Sequence, residues 1–262
     1  MKKHEEFIES CGGITADILT EEELSKEKES AEEKSEKQAG VQIDCEVKGE
    51  EKVEYNQDTE LVFIIDKSGS MHGYELDTVG GFNSMIEKQR GGEGRVYVST
   101  VLFNNSSTVL HDRVEISKIQ TMTAADYRPC GCTALLDAIG DAIHHIGNVH
   151  KYARREDVPK NTVFVITTDG MENASKRYGR DRVKGMIKRQ TEKYGWEFIF
   201  VAANIDAVET AGDIGIRKER AANYTQDSDG YSACYSAMSE FVTMKRVNTS
   251  RYIDDEWKRN LD

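Results

Sequence analysis

The sequence predicts an α/β fold: a doubly wound, mostly parallel central sheet with one antiparallel edge strand, covered by helices on both sides. Three observations predict it. Strand-like runs alternate with amphipathic helical stretches along the chain. LVFIID (61–66), NTVFVITT (161–168) and WEFIFVAAN (196–204) are apolar through their length, as strands buried on both faces must be. RVYVSTVLF (95–103) and STVLHDRVEI (107–116) meet across NNSS and read as a hairpin, which supplies the antiparallel edge.

Residues 1–55 stand apart as an acidic extension. Within it TEEELSKEKESAEEKSEKQAG (20–40) is rich in helix formers and in Glu-to-Lys pairs four apart, but has no apolar stripe, so it reads as a solvated helix or as disorder. The folded domain is expected over 56–250, with 251–262 a C-terminal tail. After the first strand, GYELDTVGGFNSMIEKQRGG (73–92) sets Leu76, Val79, Phe82, Met85 and Ile86 at helical spacing and stops at glycines. Beyond the hairpin, TALLDAIGDAIHHIGNVHKYA (133–153) puts Leu135, Leu136, Ile139, Ile143, Ile146 and Val149 on one face, and leaves His144, His145 and His150 mainly off it as surface residues. DRVKGMIKRQTEKYG (181–195), DAVETAGDIGI (206–216) and GYSACYSAMSEFVTMKR (230–246) read as the remaining helices.

Composition excludes several functions. Of the net charge of −12, residues 1–60 carry 19 acidic and 8 basic side chains, and the remainder 28 and 27. Neither part has the basic excess of a nucleic-acid surface. No apolar run approaches the length of a membrane span, and MKKHEEFIESCGG at the start has no apolar stretch of a secretory leader. The five cysteines are odd in number and sparse, which points to free thiols in a reducing compartment and a cytoplasmic setting.

The chemistry concentrates where strands end. FIIDKSGSM (63–71) leaves the core and at once presents Asp66, Ser68 and Ser70 at alternate positions, with Gly69 allowing a tight path. These are hard oxygens, without imidazole or thiolate, and suit Mg²⁺, Mn²⁺ or Ca²⁺ rather than zinc or copper. A second strand ends at Asp169, and Thr133 opens a helix; both could complete the oxygen set. Glu172 and Asn173 follow Asp169 and are candidates to support the ligands from behind, with a solvated helix start the equal alternative. Asp206 reads as a helix cap. Cys130-Gly131-Cys132 adjoins Thr133, but no other Cys or His lies near in sequence, so free thiols are expected there rather than a soft-metal site.

DKSGS (66–70), Thr133 in CGCTALLDAIG and Asp169 in TTDGMEN, in this order and each at a predicted strand or helix end, resemble the von Willebrand factor A (vWA) family and its metal-ion-dependent adhesion site. The similarity covers roughly 58–248, and in detail the chain looks like the short stand-alone bacterial vWA proteins. The resemblance implies a three-layer, Rossmann-like sandwich in which Ser68, Ser70 and Thr133 ligate Mg²⁺ directly, while Asp66 and Asp169 act largely through water. It also implies a protein partner that presents an acidic residue to the metal, and an adaptor role such as service to an ATPase assembly. No nucleophile–base pair is evident, so no catalysis is expected. Two alternatives stand beside this reading. A metal-dependent phosphohydrolase on a related sheet would need an acid where Ser68 stands. A purely structural metal would place the partner surface elsewhere.

Overall fold

The computed structural model describes residues 57–247 and 254–261; the expectations for residues 1–55 fall outside this range. β1 (Thr59–Asp66) is buried along its whole length because it lies in mid-sheet, between parallel β2 (Val96–Phe103) and parallel β4 (Asn161–Thr168). Its side chains alternate between two cores. Leu61, Phe63 and Ile65 enter one, Val62 and Ile64 the other. That is why an unbroken apolar run is needed here, where a one-sided sheet would alternate with polar residues. β3 (Ser107–Glu115) runs antiparallel to β2 at one edge, and β5 (Glu197–Ala202) and β6 (Ala221–Asn223) continue the parallel set on the far side. The strand order is β3-β2-β1-β4-β5-β6.

Helices α1 (Glu75–Arg90) and α5 (Ser228–Val247) cover the first face with Phe82, Met85, Ile86, Met238, Phe241 and Val242. Helices α2 (Leu135–Tyr152), α3 (Arg180–Tyr194) and α4 (Ala207–Asp213) cover the second with Ile139, Ile143, Ile146, Val183 and Ile187. Local chemistry sets their ends. Gly195 takes a φ of 69° and returns its N–H to the carbonyls of Gln190 and Thr191, which closes α3. The Asp206 carboxylate accepts the Glu209 N–H and caps α4, as expected.

The doubly wound sheet matches the predicted class, and three details differ. β6 was not anticipated; its three residues, Ala-Ala-Asn, are too short and too small to register as a strand. Leu76 is 79% exposed and stays out of the core, because the buried face of α1 starts at Thr78 and Val79. His150 is not a free surface residue: its ring lies beside the fully buried Glu60 carboxylate, which also takes the Arg113 guanidinium at 2.8 Å.

Residues 254–261 pack against α5 and the β6 edge of the sheet. Trp257 is buried, edge-on to Phe241 with ring centroids 5.6 Å apart, and its indole N–H donates to the Glu219 carbonyl. Truncating a buried aromatic costs about 3–5 kcal/mol. Trp257→Ala should therefore lower unfolding stability by about that amount in urea titration, although it lies in the segment that reads as a tail.

Candidate metal centre

The order of the strands creates a crevice. The chain leaves β1 toward the α1 face and leaves β4 toward the opposite face, so the two neighbouring strands part at their carboxyl ends. Asp66 ends β1, Thr168 ends β4 and Asp169 follows it. Thr133 arrives from the loop before α2. Asp66, Ser68, Thr133 and Asp169 are buried, while Ser70 is exposed at the mouth.

Four of these residues, Asp66, Ser68, Ser70 and Asp169, are linked by hydrogen bonds. Asp66 Oδ1 accepts the Ser68 N–H at 2.7 Å, and Asp66 Oδ2 accepts the Thr168 hydroxyl at 2.6 Å. The Ser68 and Ser70 hydroxyls lie 3.1 Å apart, and Ser70 donates to Asp169 Oδ1 at 2.6 Å. Gln226 Nε2 donates to the other Asp169 oxygen at 2.9 Å. Gly170 borders the same space: a Cβ there would lie 3.7 Å from the Ser70 hydroxyl and 3.8 Å from that of Thr133.

The loops are held by backbone contacts that need glycine. Gly69 N–H donates to the Gly131 carbonyl at 3.0 Å, and Cys130 N–H to the Lys67 carbonyl at 2.9 Å. Gly131 has a φ of 79°, and a side chain there would collide with Asn105 Oδ1, which accepts the Cys132 N–H. Thr133 is clamped by Asn173, whose amide oxygen accepts the Thr133 N–H and whose N–H donates to the Thr133 carbonyl. Glu172 does a different job. Its carboxylate accepts the N–H groups of Leu136, Ala174 and Ser175 and the Ser175 hydroxyl, tying the loop after β4 to the start of α2. Asp137 reciprocates by accepting the N–H groups of Lys176, Arg177 and Tyr178. Thr168, Gln226 and Asp137 have roles that the sequence did not signal. The Tyr127 hydroxyl, which donates to the Asp66 carbonyl, is a fourth.

The charge balance is unusual. Among the described residues, neither Asp66 nor Asp169 has a Lys or Arg partner within ion-pair distance. Burial pushes the Asp66 carboxyl above its ordinary value, against the hydrogen bonds from Thr168 and Ser68, and the Asp169 charge pushes it further. A raised value means that this group favours the fold at acid pH and gives that contribution up as pH rises through the raised value. Nor do three or more His, Cys, Asp or Glu side chains converge as a metal cluster among the described residues. The donor set is instead three hydroxyls and two carboxylates, with a positive charge wanting. That set fits a hard divalent cation and does not fit a thiolate or imidazole metal.

The von Willebrand factor type A domain model matches residues 60–232. The chain belongs to the von Willebrand factor type A family. Solved structures agree at the level of fold. The proximal thread matrix protein 1 of the mussel byssus superposes with a TM-score of 0.51 at 16% identity, over 71% of this chain and 46% of that one. A von Willebrand factor type A protein from Catenulispora acidiphila gives 0.50 at 12% identity, over 72% and 43%. The vWF domain of the type V pili tip protein Mfa5 from Porphyromonas gingivalis gives 0.51 at 9% identity, over 74% and 97%. The chain thus spans less than half the length of the mussel and Catenulispora proteins. No protein of curated function matches it.

Two outcomes follow for this vWA domain. In Asp66→Asn both hydrogen bonds survive, since Thr168 can accept where it had donated, and the buried charge is gone. Metal-free Asp66→Asn should melt at or above the wild type. Added Mg²⁺ at about 100 times its Kd should raise the wild type by about 2.7 kcal/mol, roughly 5–10 °C, and the variant not at all. Gly170→Val places methyl groups over Ser70 and Thr133. It should abolish that shift while leaving the metal-free melting point within a few degrees, as read by differential scanning calorimetry.

Proposed function

We propose that this vWA domain is a metal-dependent protein-binding module, with Mg²⁺ or Mn²⁺ held by Ser68, Ser70, Thr133, Asp66 and Asp169, and that it captures an acidic residue of a protein partner. One observation carries the reading: two carboxylates without a basic partner face three hydroxyls in a crevice that opens at Ser70. When bound, the cation supplies an electrophilic coordination position. The chain's own residues do the rest. Neutral hydroxyls donate lone pairs without quenching the charge. Asp66 balances charge from a fixed position, since both its oxygens are already engaged. Asn173 fixes the backbone of Thr133 on both sides, so the third hydroxyl springs from a held point of the chain.

The reading is of a binder, not an enzyme. The Ser70 hydroxyl is bonded to that of Ser68 and to Asp169, and among the described residues no histidine is hydrogen-bonded to either serine. Ser68 also stands where a phosphohydrolase of the alternative class would need its acid. Among the described residues no helix is long and apolar enough to cross a membrane.

Calorimetric titration of Mg²⁺ and Mn²⁺ into metal-stripped protein should give saturable binding to one site, lost in folded Asp66→Ala and Thr133→Ala. Acetate, as a minimal carboxylate, should then lower the water proton relaxivity of the Mn²⁺-loaded protein where chloride does not, because it replaces metal-bound water. Unchanged relaxivity would leave the metal structural. Hydrolysis of a phosphomonoester that disappears in Asp66→Ala would replace the binder with an enzyme.

A further inference from the structure

The Cys130-Gly131-Cys132 motif has no part in metal capture, yet it is built into the loop that positions the metal ligands. Both thiols are free and exposed, whereas Cys234 is buried. Cys132 precedes Thr133 directly. Their loop is sewn to DKSGS by the Cys130–Lys67 and Gly69–Gly131 backbone bonds of 2.9 and 3.0 Å. The Asn104 side chain donates to the Cys130 carbonyl at 2.9 Å and lies 3.3 Å from its sulfur, while the Asn104 carbonyl accepts the Ala134 N–H at 2.8 Å. One asparagine therefore links the Cys130 thiol to the residue after Thr133.

Two Cα steps of about 3.8 Å put Cys130 and Cys132 at most about 7.6 Å apart when fully extended. The chain is not extended there, because Gly131 has a φ of 79°. The bend at Gly131 shortens that span toward the window of about 4.4–6.8 Å that a disulfide bridges.

We propose that Cys130 and Cys132 form a thiol–disulfide exchange site, whose oxidation by a small-molecule disulfide weakens metal binding at the adjacent centre. The first cysteine sulfur attacks the disulfide RSSR, breaks its S–S bond and forms a mixed disulfide, and one RSH leaves with the cysteine's proton. The second cysteine sulfur then attacks the protein sulfur of that mixed disulfide and releases a second RSH with its own proton. The two protein thiols are oxidised and one RSSR is reduced to two RSH. The resulting ring spans only three residues, so it dictates the orientation of the Gly131 peptide groups. The same groups bond Gly69 and set the path into Thr133, and the sulfur must also leave Asn104. The strain therefore falls on the DKSGS loop and on the start of α2.

The regulatory half of this proposal rests on the metal-binding reading above, and the chemical half does not. The full chain is equilibrated in glutathione buffers from fully reduced to fully oxidised, digested under thiol-blocking conditions and mapped by mass spectrometry. A Cys130–Cys132 peptide lighter by two hydrogens is expected, reverting under reduced glutathione. Its absence, or replacement by separate glutathione adducts on each thiol, would overturn the exchange site whatever the metal does. Mg²⁺ titration of the two forms should show affinity at least tenfold lower when oxidised, and the Cys130→Ser/Cys132→Ser variant should show no difference between the two buffers. Equal Mg²⁺ affinity in the oxidised and reduced wild type would overturn the coupling. If the reduced wild type itself binds no Mg²⁺, the metal-binding reading and the coupling fail together, and only the disulfide remains.

Discussion

Two carboxylates without a cation, buried where the central sheet parts, are the constraint on which the rest of the site depends. Asp66 must sit at the end of a strand covered on both faces, because only such a strand delivers a side chain to the crevice without exposing its own backbone. Burying an ionised group is costly unless something compensates, and hydrogen bonds from Ser68 and Thr168 compensate only in part. The fold therefore carries a local cost at neutral pH that a bound cation would remove. On the proposed reading, stability is given up at one point so that a cation is attracted there.

Much of the surrounding architecture holds that point rigid. Gly69 and Gly131 let two loops approach closely enough for their peptide groups to bond, with a Cβ on Gly69 only 3.3 Å from the Gly131 carbonyl. Glu172 and Asp137 exchange backbone hydrogen bonds between the loop after β4 and the first turn of α2. Carboxylates that accept several N–H groups are strong anchors, and the first turn of a helix favours their negative charge. Acidic residues thus serve two unlike purposes within a few positions of one another. Glu172 and Asp137 are saturated by backbone donors, while Asp66 and Asp169 take hydroxyls and one amide side chain alongside a single backbone N–H.

The distinction explains what could be read from the sequence. D-x-S-x-S is legible because its residues are local, and an apolar run that stops at an aspartate announces the end of a buried strand. Thr133 and Asp169 could be added because each opens or closes a predictable element. Thr168 could not: its use depends on the register of β4 against β1, where Thr167 lies opposite Ile65 and the next residue reaches Asp66. Gln226 comes from the loop after β6, a strand too short to predict, and nothing near it in sequence marks it as a neighbour of Asp169. His150 misled for a similar reason. Its place off the apolar stripe of α2 is real, but the partner that draws it in, Glu60, is 90 residues away.

The two aspartates differ in how they are held, and this bears on how such a site can respond to a ligand. Asp66 is fixed by the Ser68 backbone N–H in the loop just past β1 and by Thr168 at the end of the neighbouring strand. Asp169 is held by the hydroxyl of exposed Ser70 and by the half-buried Gln226, which itself takes a hydrogen bond from Asn204 on the rim. Hydroxyl rotors and surface amides reorient at little cost, whereas moving Asp66 would disturb strand pairing. Any change of engagement at the centre must therefore occur on the Asp169 side, where Ser70 is shared between the carboxylate and the open mouth. The fixed carboxylate sets the position of the charge, and the adjustable one would let the proposed centre accept a ligand without unbuilding the sheet.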